Sequence, residues 1–139
     1  MPDRVAQPIE QLIREALIES PVARRMGIEL AALKPDKVVL RLPFSPDNIT
    51  VGTIVHGGVI ATLIDTAAIA VSVAGLVEPP KGTATSTLTV TYLAPADNTA
   101  LTAEALILRR GKRQTVEEVV VRDEAGTLVA KGLITNRVF

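Results

Sequence analysis

The stretch Val55-His-Gly-Gly-Val-Ile-Ala-Thr-Leu-Ile-Asp-Thr66 holds the chain's single histidine, two adjacent glycines and one carboxylate inside an apolar run. From Val59 to Val77 the only other polar side chains are Thr62, Thr66 and Ser72. An unpaired carboxylate in such surroundings costs several kcal/mol or takes up a proton. Asp65 is therefore either paired, for example by a neighbouring hydroxyl such as that of Thr66, or kept for chemistry. Two consecutive glycines at a helix start let backbone N–H groups of Gly57 and Gly58 approach a substrate, and the helix dipole adds partial positive charge there. That is the composition of a site that stabilises an oxyanion; the alternative is a tight loop with one glycine at positive φ. His56 begins the helix, either as a cap or packing residue or as part of the site. A second cluster, Arg109, Arg110, Lys112 and Arg113, falls at a turn between strands. It is either a solvated turn or a cradle for phosphate groups.

Composition narrows the chemistry further. The chain has 139 residues, 47% of them hydrophobic, with a formal net charge of zero, which fits one globular domain over residues 1–139. The balanced charge gives no general attraction to nucleic acid or to anionic membrane. Three aromatic residues in all leave little for base stacking. The absence of cysteine removes disulfides, thiolate metal sites and a cysteine nucleophile, and one histidine does not make a multi-histidine metal centre. No metal and no cofactor are expected. The N-terminal twenty residues are charged throughout and lack an apolar signal core, so a cytoplasmic location is the expectation. The run from 59 to 77 has the length of a membrane span, but its central Asp65, the preceding Gly-Gly and the strand-rich surroundings favour a helix buried in a soluble core.

These residues need elements to position them. Ile9, Leu12, Ile13, Ala16 and Leu17 recur at helical spacing between Pro8 and Pro21, predicting an amphipathic helix over 8–19. Short strands follow over 27–33 and 38–42, then a loop over 44–52 and the long apolar helix over about 57–76. Four more strands are expected over 83–93, 100–109, 114–122 and 127–136. Strict alternation in the first of these places Thr85, Thr87, Thr89 and Thr91 on one face and Ser86, Leu88, Val90 and Tyr92 on the other. One nearly all-apolar helix followed by antiparallel strands is an α+β arrangement, with a strongly curved sheet wrapping the helix.

The pattern resembles the hotdog-fold acyl-CoA thioesterases, in particular the phenylacetate-pathway (PaaI-like) subfamily of the 4-hydroxybenzoyl-CoA thioesterase superfamily. The resemblance rests on Gly52-Thr-Ile-Val-His56-Gly57-Gly58, on Asp65-Thr66 nine positions after the histidine, and on Val90-Thr-Tyr-Leu-Ala-Pro95. Arg109-Arg-Gly-Lys-Arg113 and Val121-Arg-Asp-Glu-Ala-Gly126 match the late strands. It implies that Asp65 is nucleophile or general base, that the Gly57 N–H polarises a thioester carbonyl beside His56, and that the Thr85 hydroxyl helps hold water. Gly58 and Thr66 would line the substrate, and Arg109, Arg110, Lys112 and Arg113 would meet the phosphates of coenzyme A. Family members usually carry an asparagine or glutamine six residues before the histidine. That position is Thr50 here, with Asn48 two residues further back, so the role falls to one or the other.

The expected activity is hydrolysis of a small to medium, or aromatic, acyl-CoA. The alternatives are a thioesterase acting on acyl carrier protein and a non-catalytic acyl-CoA-binding domain, against which Asp65 argues. Gly57 and Asp65 lie eight residues apart, about 12 Å along a helix at 1.5 Å per residue. One straight helix cannot bring both to one carbonyl, so a homodimer with shared sites is expected, with a dimer of dimers as the larger assembly.

Overall fold

The apolar run after His56 folds as helix α3 (Gly57–Ala74), and the remaining elements cover it. The computed structural model describes residues 3–139. Its strands are β1 (Glu29–Lys34), β2 (Lys37–Leu42), β3 (Thr83–Tyr92), β4 (Leu101–Arg110), β5 (Gln114–Asp123) and β6 (Leu128–Val138). They form one antiparallel sheet in the order β1-β2-β4-β5-β6-β3. Helix α3 packs against all six strands, so the sheet curves around it as the α+β reading requires.

Alternation sets which side chains meet the helix. Leu101, Ala103 and Ala105 of β4 and Val119 and Val121 of β5 are fully buried, opposite Leu63, Ile64, Ala67, Ala68, Ala70 and Val71 of α3. Small residues let helix and sheet approach closely. At Gly132 on β6 a Cβ would lie 2.6 Å from Ile64 Cγ2, so only glycine fits under the helix there. By length and composition α3 could cross a membrane, yet ten of its eighteen residues are buried within this fold, which accounts for its apolarity.

The N-terminal segment departs from expectation. Helix α1 (Gln7–Leu12) continues as a π-helical turn over Ile13–Ile18, with Ile9 and Ile13 buried. Pro21 ends this segment but also begins a second helix, α2 (Pro21–Met26), capped by the Ser20 hydroxyl. Proline suits the first helical position because its missing N–H has no partner there anyway. Gly27, at φ 85°, closes α2 in the left-handed conformation that glycine adopts without strain.

The second departure lies in β3. A bulge between Thr85 and Thr87 interrupts its pairing with β6. Beyond the bulge Leu88 pairs with buried Ile134 and Val90 with buried Gly132, whereas before it Thr85 pairs with buried Asn136. Thr85 thus shares the helix-facing side with Leu88, Val90 and Tyr92, not with Thr87, Thr89 and Thr91. An extra residue in one strand reverses the alternation on either side of it. The bulge is what turns Thr85 toward α3.

Candidate active site

The loop before α3 is held by backbone bonds. Val55 N–H donates to Ala96 O, Thr50 N–H to Ile54 O, and His56 N–H to Asn48 O at 2.8 Å. Asn48 is buried at the end of a short 3-10 turn (Pro46–Asn48), and its amide donates to Met26 O at 2.8 Å. The asparagine therefore ties the loop to the end of α2. Thr50 is exposed and joins the loop through its backbone.

His56 is the N-cap of α3: its Nδ1 accepts from Gly58 N–H at 2.8 Å. With Nδ1 acting as acceptor, a neutral imidazole carries its proton on Nε2. Val59 and Ile60 N–H both donate to His56 O. Of the four N–H groups that open a helix without intrahelical partners, only that of Gly57 has none among the described residues. Neither Gly57 nor Gly58 is at positive φ, so the tight-loop reading fails. What Gly58 requires is room, whereas Gly57 has space for an ordinary contact. A Cβ on Gly58 would lie 2.9 Å from the His56 ring, and one on Gly57 would touch the Tyr92 ring at 3.4 Å. The Tyr92 hydroxyl donates to Gly57 O at 2.5 Å. A cavity of about 370 Å³ opens at this helix end, lined chiefly by Gly57, Ile54, Ile60, Tyr92, Leu93 and Pro95.

Asp65 lies two turns further along. It is half-buried, on a stripe of Gly58, Ala61, Thr62, Asp65, Thr66 and Ile69 that the sheet covers only in part. Its Oδ1 accepts from the Thr85 hydroxyl at 2.7 Å. Thr66 does not pair with it; that hydroxyl donates to Thr62 O at 2.8 Å within the helix. The structure thus brings together Asp65 with Thr85, and separately Asn48 with His56, Gly57 and Gly58. It does not bring the two groups together within one chain.

The basic turn divides. Arg109, Lys112 and Arg113 line a hollow of about 480 Å³ together with Gly111, Gln114 and Val116. Arg110 points the other way. Its guanidinium donates to Ser72 O at 2.6 Å and Val71 O at 3.3 Å, satisfying carbonyls at the C-terminal end of α3. Among the described residues no cluster of histidine, aspartate and glutamate could hold a metal ion.

A family model of the thioesterase superfamily matches residues 52–130, more than half of the chain and the whole span from the glycine loop to β6. The chain belongs to the thioesterase superfamily. A Saccharolobus solfataricus protein with the provisional name of an esterase is 29% identical over 123 residues, covering 88% of this chain and 81% of that protein. A Haemophilus influenzae thioesterase superposes with a TM-score of 0.86 at 22% identity, covering 100% of this chain and 95% of the other. The E. coli PaaI protein from the phenylacetic acid degradation operon superposes with a TM-score of 0.85 at 18% identity, covering 97% and 96%. The fold is that of the hotdog thioesterases, and the chain is a thioester hydrolase.

Two features of this thioesterase escaped the sequence reading. Tyr92 is legible only as part of the Tyr-Leu-Ala-Pro motif; that its hydroxyl closes over Gly57 is a tertiary fact. The other is a buried polar cluster on the helix-facing side of the sheet. Glu117 is fully buried and accepts from the Thr115 hydroxyl and from Asn136 Nδ2 at 3.1 Å. Burial pushes the Glu117 carboxyl up, against the opposing effects of the Thr115 and Asn136 bonds and of the Arg110 charge. Alternation along β5 puts Thr115, Glu117, Val119 and Val121 on one face, so the signal was present in the strand pattern.

Proposed function

We propose that this thioesterase hydrolyses small to medium or aromatic acyl-CoA substrates, as a cytoplasmic PaaI-like enzyme, in sites formed between two chains. The observation that carries the reading is the free Gly57 N–H at the α3 N-terminus, facing a cavity with apolar walls. A thioester carbonyl seated there gains a fixed donor and the positive end of the helix dipole as its oxygen becomes negative. Asp65 of the other chain then acts in one of two ways. As general base it takes a proton from water, whose oxygen attacks the carbonyl carbon. As nucleophile it attacks directly, and water cleaves the resulting anhydride. Either route adds water across the C–S bond and releases a carboxylic acid and a thiol. The Thr85 hydroxyl fixes Asp65 Oδ1, leaving the second carboxylate oxygen for the reaction.

Distance and an open sheet edge support sharing between chains. Strand β3 is ten residues long, has one unpaired side, and carries neither charge nor proline to discourage pairing. The partly exposed α3 stripe and half-exposed Tyr92 add surface for a two-fold partner, which supports pairing each Gly57 with the partner's Asp65. The hollow of Arg109, Lys112 and Arg113 offers three cations to coenzyme A phosphates. The E. coli neighbour's phenylacetic acid operon supports including aromatic acyl groups among the substrates.

The test is Gly57→Pro against Gly57→Ala, with thiol release measured over a panel of acyl-CoAs and acyl carrier protein thioesters. Proline fits the first helical position, and His56, at φ −61° and ψ 134°, already has the conformation a following proline requires. The substitution replaces the N–H by a ring carbon, and Gly57→Ala controls for the added Cβ beside Tyr92. Gly57→Pro is expected to fold and to lose about 10²–10³ in kcat, while Gly57→Ala retains most of its turnover. Equal activity of the two variants would remove the Gly57 N–H from the mechanism.

A further inference from the structure

The helix-facing side of the sheet carries one continuous polar row. Arg110, Thr115, Asn136 and Thr85 stand directly opposite one another across β4–β5, β5–β6 and β6–β3. Opposite residues in an antiparallel pair share a face, with Cβ atoms about 5 Å apart. Both ends of the row touch α3: Thr85 donates to Asp65, and Arg110 donates to the Val71 and Ser72 carbonyls. The middle is sealed, with Thr115, Asn136 and Glu117 all buried. Well-packed apolar residues would be at least as stable as a buried carboxylate held by an amide and a hydroxyl. Stability alone does not explain this row.

One atom gives it a purpose. Asn136 Oδ1 is the only buried side-chain polar atom without a hydrogen-bond partner among the described residues. The nitrogen arm of this amide is held by Glu117 on β5, and turning it over would set oxygen against carboxylate. The oxygen arm is thereby left free, and its neighbour across the β3 side is Thr85. That hydroxyl has a single proton, which it gives to Asp65 Oδ1.

We propose that Asn136, locked by Glu117, is a positioning residue that offers the Thr85 hydroxyl a second acceptor. While Asp65 is a carboxylate, the Thr85 proton stays on it. Once Asp65 has taken a proton or become acylated its oxygen is a weaker acceptor, and the Thr85 side chain turns about its Cα–Cβ bond to carry its O–H to Asn136 Oδ1, which it does not reach while bonded to Asp65. Thr85 then keeps a partner through the whole cycle, and Asp65 is released and recaptured in turn. This rests on the reading of Asp65 as the catalytic carboxylate.

Two measurements test it. The first is the crystal structure of Asp65→Ala, in which the first acceptor is gone. Thr85 Oγ is expected within about 3 Å of Asn136 Oδ1; a separation beyond about 3.5 Å overturns the proposal, whatever the activity of any Asp65 variant. The second is steady-state kinetics of Asn136→Leu, alone and combined with Asp65→Asn. The expected result is a fall in kcat of about tenfold or more with KM unchanged, and no further loss in the Asp65→Asn background. If Asn136→Leu strands the Glu117 carboxylate and does not fold, Asn136→Leu with Glu117→Leu removes both partners together and carries the same measurement. A folded variant with undiminished kcat, or one whose loss multiplies with that of Asp65→Asn, overturns the proposal. Full activity of Asp65→Asn itself would instead defeat the catalytic reading of Asp65, and the Asp65→Ala structure would still decide the Thr85–Asn136 contact.

Discussion

Asp65 has one assigned partner, the Thr85 hydroxyl, and an oxygen left over. If it is base or nucleophile, Asp65→Asn is expected to lower kcat by about two orders of magnitude or more while the fold persists. Thr85→Val, which removes the hydroxyl and keeps the shape, should lower kcat by about tenfold with KM unchanged, and Thr85→Ser should restore most of it. The check is initial-rate kinetics with thermal unfolding recorded alongside; a Thr85→Val enzyme at full kcat would leave the hydroxyl without a role in turnover. The sequence shows Asp65 clearly, because one carboxylate stands out in an apolar run. It shows Thr85 only through resemblance, because strict alternation puts that side chain on the wrong face. A bulge depends on how β3 pairs with β6, and no local pattern along β3 carries that information. Asn48 was likewise visible as a residue, but its anchor, Met26 O, lies at the end of a helix the sequence reading did not contain.

At the scale of elements, the two ends of α3 are treated differently. The N-terminal end is left with a free donor at Gly57, whereas the C-terminal end is closed by Arg110. The four basic residues of the β4–β5 turn should therefore separate by phenotype. Arg109→Ala with Arg113→Ala is expected to raise KM for acyl-CoA and to leave kcat and stability unchanged, with the shift shrinking for a substrate lacking the nucleotide. Arg110→Ala should lower the unfolding temperature because buried carbonyls lose their donors. A purely kinetic Arg110→Ala, or an unstable Arg109→Ala with Arg113→Ala, would reverse these assignments. Glu117 adds a dependence on pH. Its carboxyl is raised in the folded state by burial, with Arg110 the charged group that opposes the shift. The folded chain thus holds that proton more readily than the unfolded chain. Stability from this group is present below the ordinary glutamate range and is lost as pH rises through the raised value. Glu117→Gln has no such loss, so its stability relative to the parent should grow as pH climbs through that window. Urea unfolding at several pH values and fixed protein concentration checks this; a gap independent of pH would contradict it.

For the whole molecule, sequence periodicity was sufficient for one long buried helix and the strands of an α+β sheet, because helix α3 and strands β3 to β6 each run for ten or more residues. Helix α2 was missed because Pro21 reads equally as a stop and as a first helical residue. What a single chain leaves open is itself informative. Strand β3 has an unpaired side, α3 has a partly exposed stripe, and the free Gly57 N–H lies about 12 Å along the helix from Asp65 at 1.5 Å per residue. The proposed two-fold partner with antiparallel α3 helices would answer all three at once. The most direct test mixes two inactive proteins, Asp65→Asn and Gly57→Pro, and lets their subunits exchange. Random pairing makes about half of the dimers mixed, each with one intact and one doubly damaged site, so thioesterase activity should return to about a quarter of the parent level. Verified exchange with no return of activity would contradict a site built from Gly57 of one chain and Asp65 of the other.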